Sequence, residues 1–337
     1  MKFTIVAAAG AAVIFGWSGA YASNAHDPAS HRHAKAAKTV SWSPFLINHN
    51  TLSLSDRFTA THPGRAGTIP KTILEFTHFD AWGYGTNLLS LEMLKSQRND
   101  PASPCGNFHA PRGGCPAATE FTLHWRSTLG FNQMFHTHGF SAGPLKNVSF
   151  EFGGDANTEN TFAAPAKRVV VAGLEFTFAL PYGGHVNASP LYYKEWNHNS
   201  FVTPAFATPG IPSGDTNFAG TYALEFNYAM PLGFLPPTIP LSISGYANFY
   251  GPKGTGVGLA APKVPKTAVE FLSEQKLSLD VGKMIGGARQ ANKFNVWIAY
   301  RYWQNKFGLD HTKGTCIGAS TGSCTEQSLV TGISVMF

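Results

Sequence analysis

Apolar side chains recur at every second position through segment after segment of this chain, and past the first residues no unbroken apolar run reaches the roughly 20 residues a membrane helix needs. Phe121, Leu123 and Trp125 alternate with Thr122, His124 and Arg126; Phe294, Val296, Ile298, Tyr300 and Tyr302 alternate with Asn295, Trp297, Arg301, Trp303 and Asn305. Successive side chains of a strand point to opposite faces, so each such segment carries one greasy and one polar face. Charged residues make up only 13% of the chain, against about 25% in a typical soluble domain. In lipid, every backbone donor and acceptor must be paired within the protein, and a sheet meets that demand only by closing on itself. The expectation is an all-β fold, a transmembrane antiparallel β-barrel of about 12 strands.

Clusters of Gly, Pro, Asn and Asp divide the chain into predicted strands at 51–61, 72–81, 87–94, 119–128, 147–155, 168–180, 186–197, 221–230, 240–250, 267–281, 294–306 and 329–337. The register of the seventh stays open, because aromatic and charged residues fall on both of its faces. An even strand number puts both chain ends on one side of the membrane. The long connections 95–118, 199–219, 251–266 and 307–325 then all fall on the other side, with 130–145 the one long turn on the side of the termini.

Residues 1–22 combine Lys2, an apolar stretch from Phe3 to Phe15 and the small residues Ala20 and Ala22, which reads as a cleaved export signal. Residues 23–40 form a predicted flexible tail with His26, His31 and His33, and the barrel occupies 41–337. Export to an oxidising compartment makes two local disulfides, Cys105–Cys115 and Cys316–Cys324, the reading of the four cysteines; no C-x-x-C pair suggests zinc. The net charge of +6 comes without a basic stripe or nucleic-acid-reading motif, and anionic lipopolysaccharide headgroups or anionic solutes at a pore mouth account for it.

About twelve strands would leave a narrow lumen whose side chains touch a permeating molecule. The predicted inward set holds Glu75, Glu120, Glu151, Glu175, Glu225, Glu270 and Glu274; Arg126, Lys194, Lys276 and Arg301; Asn227, Asn248 and Asn295; and Phe79, Tyr192, Tyr246, Tyr250, Trp297 and Trp303. Flat rings among hydrogen-bonding groups suit a nucleobase, and several weak stations in series speed passage where one tight site would trap the solute.

The final strand, LVTGISVMF, stops on Phe337 and resembles the closing strand of bacterial outer-membrane barrels, in which a terminal Phe addresses the barrel assembly machinery. The stretches from Thr72 to Phe79, Phe121 to Arg126, Leu191 to Lys194 and Val296 to Trp303 look like strands of the nucleoside-specific, Tsx-like channel-forming family. That resemblance implies a monomeric outer-membrane channel for passive uptake of nucleosides or similar small polar solutes, with no cofactor and no nucleic-acid partner. It carries Glu75, Phe79, Lys194 and Arg301 over as lumen contacts; Glu175, Tyr246, Glu270 and Trp297 join them from the alternation. The cysteine-bearing loops and His-rich tail depart from the family pattern.

Two further readings compete: an outer-membrane lipid hydrolase, and a less selective porin or structural barrel. Gly139–Gly143 matches G-x-S-x-G in letters, but Pro144 follows where a nucleophile elbow needs a helix. His136 and His138 read as turn residues, no metal site is expected, and GPKGTGVG (251–258) lacks the ending of a phosphate-binding loop.

Overall fold

The computed structural model describes residues 45–103, 117–158, 166–198, 215–254 and 266–337. One antiparallel sheet contains β1 (Phe45–Arg57), β2 (Lys71–Trp82), β3 (Gly85–Lys95), β4 (Thr119–Gly130), β5 (Leu145–Thr158), β6 (Ala166–Ala179), β7 (His185–His198), β8 (Asp215–Asn217), β9 (Thr221–Pro231), β10 (Leu241–Tyr250), β11 (Glu270–Asp280), β12 (Phe294–Gln304) and β13 (Thr325–Met336). Twelve of these strands close a cylinder by pairing with their neighbours in sequence, while the three-residue β8 lies beside the end of β7. The predicted export signal, the tail and the Cys105–Cys115 pair lie outside the described residues.

The cylinder closes where β1 meets β13, in register from Thr51 opposite Met336 to Arg57 opposite Val330. Asn50 and Phe337 exchange both backbone hydrogen bonds, 3.2 and 2.9 Å, so the last residue is part of the seam. Both ends of the barrel chain therefore lie at one rim, called the near rim below. The opposite, far rim receives the long connections.

Alternation holds around the wall. Leu54, Leu74, Leu91, Leu224, Leu277, Ile298 and Ile333 are exposed on the outside, whereas Ser53, Glu120, Arg126, Glu175, Asn187, Glu225 and Lys276 are buried on the inside. A belt of apolar residues on this scale belongs against lipid, and the charges belong in the lumen. No helix among the described residues is long and apolar enough to cross a membrane.

β7 takes the register in which His185, Asn187, Ser189, Leu191, Tyr193, Glu195 and Asn197 turn inward. Tyr192 and Lys194, expected in the lumen, instead face outward. Lys194 sits opposite the exposed Val170, and its ammonium binds Asn217 Oδ1 at 2.6 Å and the Phe218 carbonyl oxygen, 5.3 Å from the centre of the Trp196 ring. The adjacent pairs Tyr192–Tyr193 and Lys194–Glu195 offer equal chemistry to either face, so only pairing with the neighbouring strands sets the register.

Strand ends move for local reasons. β1 stops at Arg57 and not at residue 61 because Thr59 N–H donates to Ser328 Oγ at 3.0 Å and Thr61 Oγ1 to the Thr325 carbonyl at 3.0 Å. β13 starts at Thr325 and not at residue 329, bringing Glu326 onto the inner wall. Asn305, expected inside, leaves the strand in a left-handed conformation at φ 55°. Of the cations expected inward, Arg126, Lys276 and Arg301 are buried there, and Arg57 and Lys71 join them.

At the near rim, the long 131–144 turn holds a one-turn helix, α1 (Phe131–Met134), and a cluster of the Phe131, Phe135 and Phe140 rings with centroids 5.2 to 6.0 Å apart. Asp280 caps α2 (Val281–Gly286), accepting from Lys283 N–H at 2.8 Å and Asn292 N–H at 2.7 Å. Phe135, Tyr182, Phe234, Ile285 and Phe337 project from this rim, as interfacial residues do at a headgroup layer.

Ile298 lies mid-strand on the outer face, so Ile298→Arg should cost about 2–4 kcal/mol in urea unfolding from lipid vesicles. An unchanged midpoint would mean that this face does not meet lipid.

Candidate functional site

The lumen wall is built from inward residues of all twelve barrel strands, and its polar groups sort into distinct clusters. Midway down, Arg126 on β4 reaches Glu225 on β9, with Nη2 2.7 Å from Oε1 and Nε 3.0 Å from Oε2. Three strands, β5, β6 and β7, separate the two along the wall, so this fork crosses the interior. Arg126 also donates to both oxygens of Asp155, at 3.0 and 3.1 Å, and lies 3.8 Å from Glu151; His124 Nδ1 is 2.7 Å from Asp155. A guanidinium's fixed donors suit two carboxylates at once.

Toward the far rim, loops fold into the mouth and join inward strand residues. Lys253, from the connection after β10, places its ammonium 2.5 Å from Glu195 and 3.8 Å from Glu270. Glu195 also accepts from Tyr193 Oη at 2.6 Å and Asn197 Nδ2 at 2.8 Å, and Lys167 lies 5.2 Å from the centre of the Tyr250 ring. Trp303 Nε1 donates to Glu270 at 2.9 Å. A second cluster gathers on Glu326: Lys306 at 2.6 Å, Arg301 at 3.3 Å and Arg57 at 3.8 Å. Arg301 also donates to Tyr246 Oη at 2.5 Å and to Glu274 at 3.3 Å. Burial pulls the Lys306 ammonium down to about 8, with Glu326 pulling the other way. Phe307 holds a left-handed backbone, φ 58°, that a bulky residue adopts only when packing enforces it; its ring sits edge-on to Trp303 at 5.0 Å. The Cys316–Cys324 disulfide closes the end of this same loop, just before β13.

Trp297 stands inward on β12. Its Nε1 donates to Ser334 Oγ at 2.9 Å, and Lys276 lies 4.4 Å from its ring centre. Gly332 leaves room beneath the ring: a Cβ there would come 2.3 Å from Trp297 Cζ2. Glu75 accepts from Ser90 at 2.7 Å, and Phe79 is buried between its cross-strand partners His49 and Leu88.

A further polar patch lies in the near half. Glu151, Glu175, Asn187 and Asn227 are all buried, yet Glu151 Oε2, both amide atoms of Asn187 and Asn227 Oδ1 have no hydrogen-bond partner in the protein. Asn187 pairs directly with Thr177 on one side and Asn227 on the other, so these atoms form one patch beside the Arg126–Glu225 fork. Buried polar atoms in native proteins nearly always find partners, and in a lumen those are water or solute.

Of the eight predicted lumen contacts, seven face inward: Glu75, Phe79, Glu175, Tyr246, Glu270, Trp297 and Arg301. They do not converge on one point. Tyr246 and Arg301 touch; Glu270, Trp297, Glu75, Glu175 and Phe79 occupy separate stretches. The sequence reading missed Asn187 through the open register of β7 and Glu326 by starting β13 four residues late, the difference between 325 and 329. His62, Asp100, Lys253 and Lys306 come from loops, for which alternation gives no signal.

On the outer wall, His78 binds Asn50 Oδ1 at 2.9 Å and Asp80 at 3.3 Å, and Ser127 Oγ donates to Asn87 Oδ1 at 2.7 Å. That hydroxyl lies on an amide, where a serine nucleophile would need the imidazole. Ser141 of the G-x-S-x-G stretch donates to the Lys146 carbonyl at 2.8 Å and accepts from Asn132 at 2.7 Å within the near-rim turn.

No protein-family model matches the sequence, and no curated protein matches it. Among solved structures, an outer-membrane channel from Pseudomonas putida F1 aligns at TM-score 0.41 and 8% identity, covering 90% of this chain and 100% of that one. The translocator domain of the autotransporter NalP from Neisseria meningitidis aligns at TM-score 0.33 and 12% identity, over 86% and 89% of the two chains. OmpF from Salmonella typhi, solved in complex with daunomycin, aligns at TM-score 0.29 and 8% identity, over 86% and 97%.

Removing one partner of a buried ion pair strands the others. Arg126→Met should therefore cost about 3–5 kcal/mol in urea unfolding, and adding Glu225→Gln should recover part of that loss. A cost below about 1 kcal/mol would mean that the fork is solvated.

Proposed function

We propose that this barrel is an outer-membrane channel for passive passage of small polar solutes, with nucleosides as the favoured class. The observation that carries this reading is the division of the wall: lipid-facing apolar residues outside, and inside a largely polar lining in which the near-half patch around Asn187 lacks protein partners. A solute bearing both hydroxyl or amide donors and acceptors complements that patch. The ring of Trp297, inward at mid-wall, offers a surface for a flat base once Lys276 swings aside. The Tsx-like resemblance of the sequence supports the same solute class. In this reading the near rim faces the periplasm, the far-rim loops meet lipopolysaccharide, Phe337 engages the assembly machinery and the working unit is a monomer.

A second reading is a barrel kept shut, and it rests on the Arg126–Glu225 fork across the interior.

Planar-bilayer recordings separate the two. The channel reading expects a small conductance, reduced by added nucleoside, with Trp297→Ala weakening the block about tenfold for one lost stacking contact. Block unchanged in Trp297→Ala and in Phe79→Ala would remove the nucleoside reading. Absence of conductance in the wild type, with opening by Arg126→Ala, would favour the shut barrel.

A further inference from the structure

At the far rim, on the opposite side of the mouth from Lys253, three potential metal ligands converge from three separate segments. His62 comes from the connection between β1 and β2, Asp100 from the connection after β3, and Glu120 from the second residue of β4. All three are buried, with relative exposures of 4%, 0% and 6%. His62 Nε2 lies 3.6 Å from Asp100 Oδ1 and 3.6 Å from Glu120 Oε1, and the three ligand atoms all lie within 4.8 Å of one another.

The spacing is too long for hydrogen bonds and close to that of ligands around a shared ion. A nitrogen and an oxygen each about 2.0–2.1 Å from a tetrahedral zinc ion stand about 3.3 Å apart. Glu120 Oε1 supplies the independent sign of a ligand: it is buried, aimed at the imidazole, and has no hydrogen-bond partner. The remaining oxygens of the two carboxylates are both engaged by Lys71, whose ammonium lies 2.5 Å from Glu120 Oε2 and 3.3 Å from Asp100 Oδ2; Ser96 Oγ also donates to Asp100 Oδ2 at 2.7 Å, and Asp100 Oδ1 accepts from Ala102 N–H at 2.8 Å, which leaves it a second lone pair for an ion. Lys71 and Ser96 thus do what outer partners of ligating carboxylates do, fixing which oxygen points inward. With His62 neutral, two carboxylates against one ammonium leave the cluster one negative charge, which a divalent cation overcompensates by one.

From this arrangement we infer that His62, Asp100 and Glu120 form a binding site for a zinc-class divalent cation, one that ties the first and second far-rim connections to the lumen wall. One imidazole and two carboxylates suit zinc or its cobalt substitute better than calcium, which takes six to eight oxygen ligands. Three protein ligands leave a fourth position for water. The ion fastens loop to loop at the mouth, whatever the barrel transports.

The test uses the mature barrel in detergent, stripped with chelator and titrated with zinc against a chromophoric competitor. Four proteins are compared: wild type, His62→Gln, Asp100→Asn, and a tail variant with His26, His31 and His33 changed to Ala. Heat-modifiable migration on gels verifies that each barrel is folded. One equivalent of zinc per barrel is expected for the wild type and the tail variant, with affinity at least tenfold weaker in His62→Gln and in Asp100→Asn. Cobalt in place of zinc should give an intense visible band of low-symmetry four-coordination in the wild type, lost in His62→Gln. Stoichiometric zinc absent from the folded wild type, or lost in the tail variant while kept in His62→Gln, would overturn the assignment.

Discussion

The structure depends first on the pairing of β1 with β13. Until that seam forms, each of these strands carries a row of unpaired N–H and C=O groups along one edge, which lipid cannot satisfy. The pairing leaves no open edge and fixes the register of every other strand, because each hairpin passes its register to the next. Met336 and Phe337 lie opposite Thr51 and Asn50, so both belong to the seam.

Closure creates an interior with no opposing layer, and the side chains there must satisfy one another or water. An isolated carboxylate taken out of water costs several kcal/mol, so buried inward glutamates persist only when paired or hydrated. In the far half they are paired: Glu195 with Lys253, Glu326 with Lys306, Glu120 with Lys71, Glu274 with Arg301. Lys253 and Lys306 come from loops. The wall's carboxylates therefore anchor the far-rim connections, and charge compensation, more than apolar packing, is what folds those connections inward. Apolar packing has a place too, in the inward Val169, Val171, Leu191, Tyr193, Ala223 and Tyr250.

Alternation made most of this legible from residues alone. In β4 and β12 apolar and polar positions separate so cleanly that the inward Arg126, Trp297 and Arg301 follow from the period of the strand. It failed where both faces carry the same chemistry. In β7 the neighbouring Tyr192–Tyr193 and Lys194–Glu195 cannot be told apart by pattern, and Lys194, which the pattern allows in the lumen, lies outside, bonded to Asn217 of β8. It failed again where an inward contact comes from a loop. His62, Asp100, Lys253 and Lys306 reach the interior through contacts tens to hundreds of residues away, which no local period encodes. Lys306 on Thr61, 245 positions apart, is such a contact.

The two halves of the lumen are consequently unequal in what a solute can gain from them. In the far half, a polar solute entering the Glu195–Lys253–Glu270 or Arg301–Glu326–Lys306 clusters must break existing charge-assisted bonds, so its own contacts are largely offset. In the near half, the atoms of Asn187, Asn227 and Glu151 that have no protein partner give up only water. Net binding free energy should therefore concentrate on the near side of the Arg126–Glu225 fork, even though most of the aromatic rings lie on or beyond it. In the proposed channel the fork would separate a charged vestibule from a hydrogen-bonding chamber, and the strength of that one bridge would set how readily a molecule moves between them.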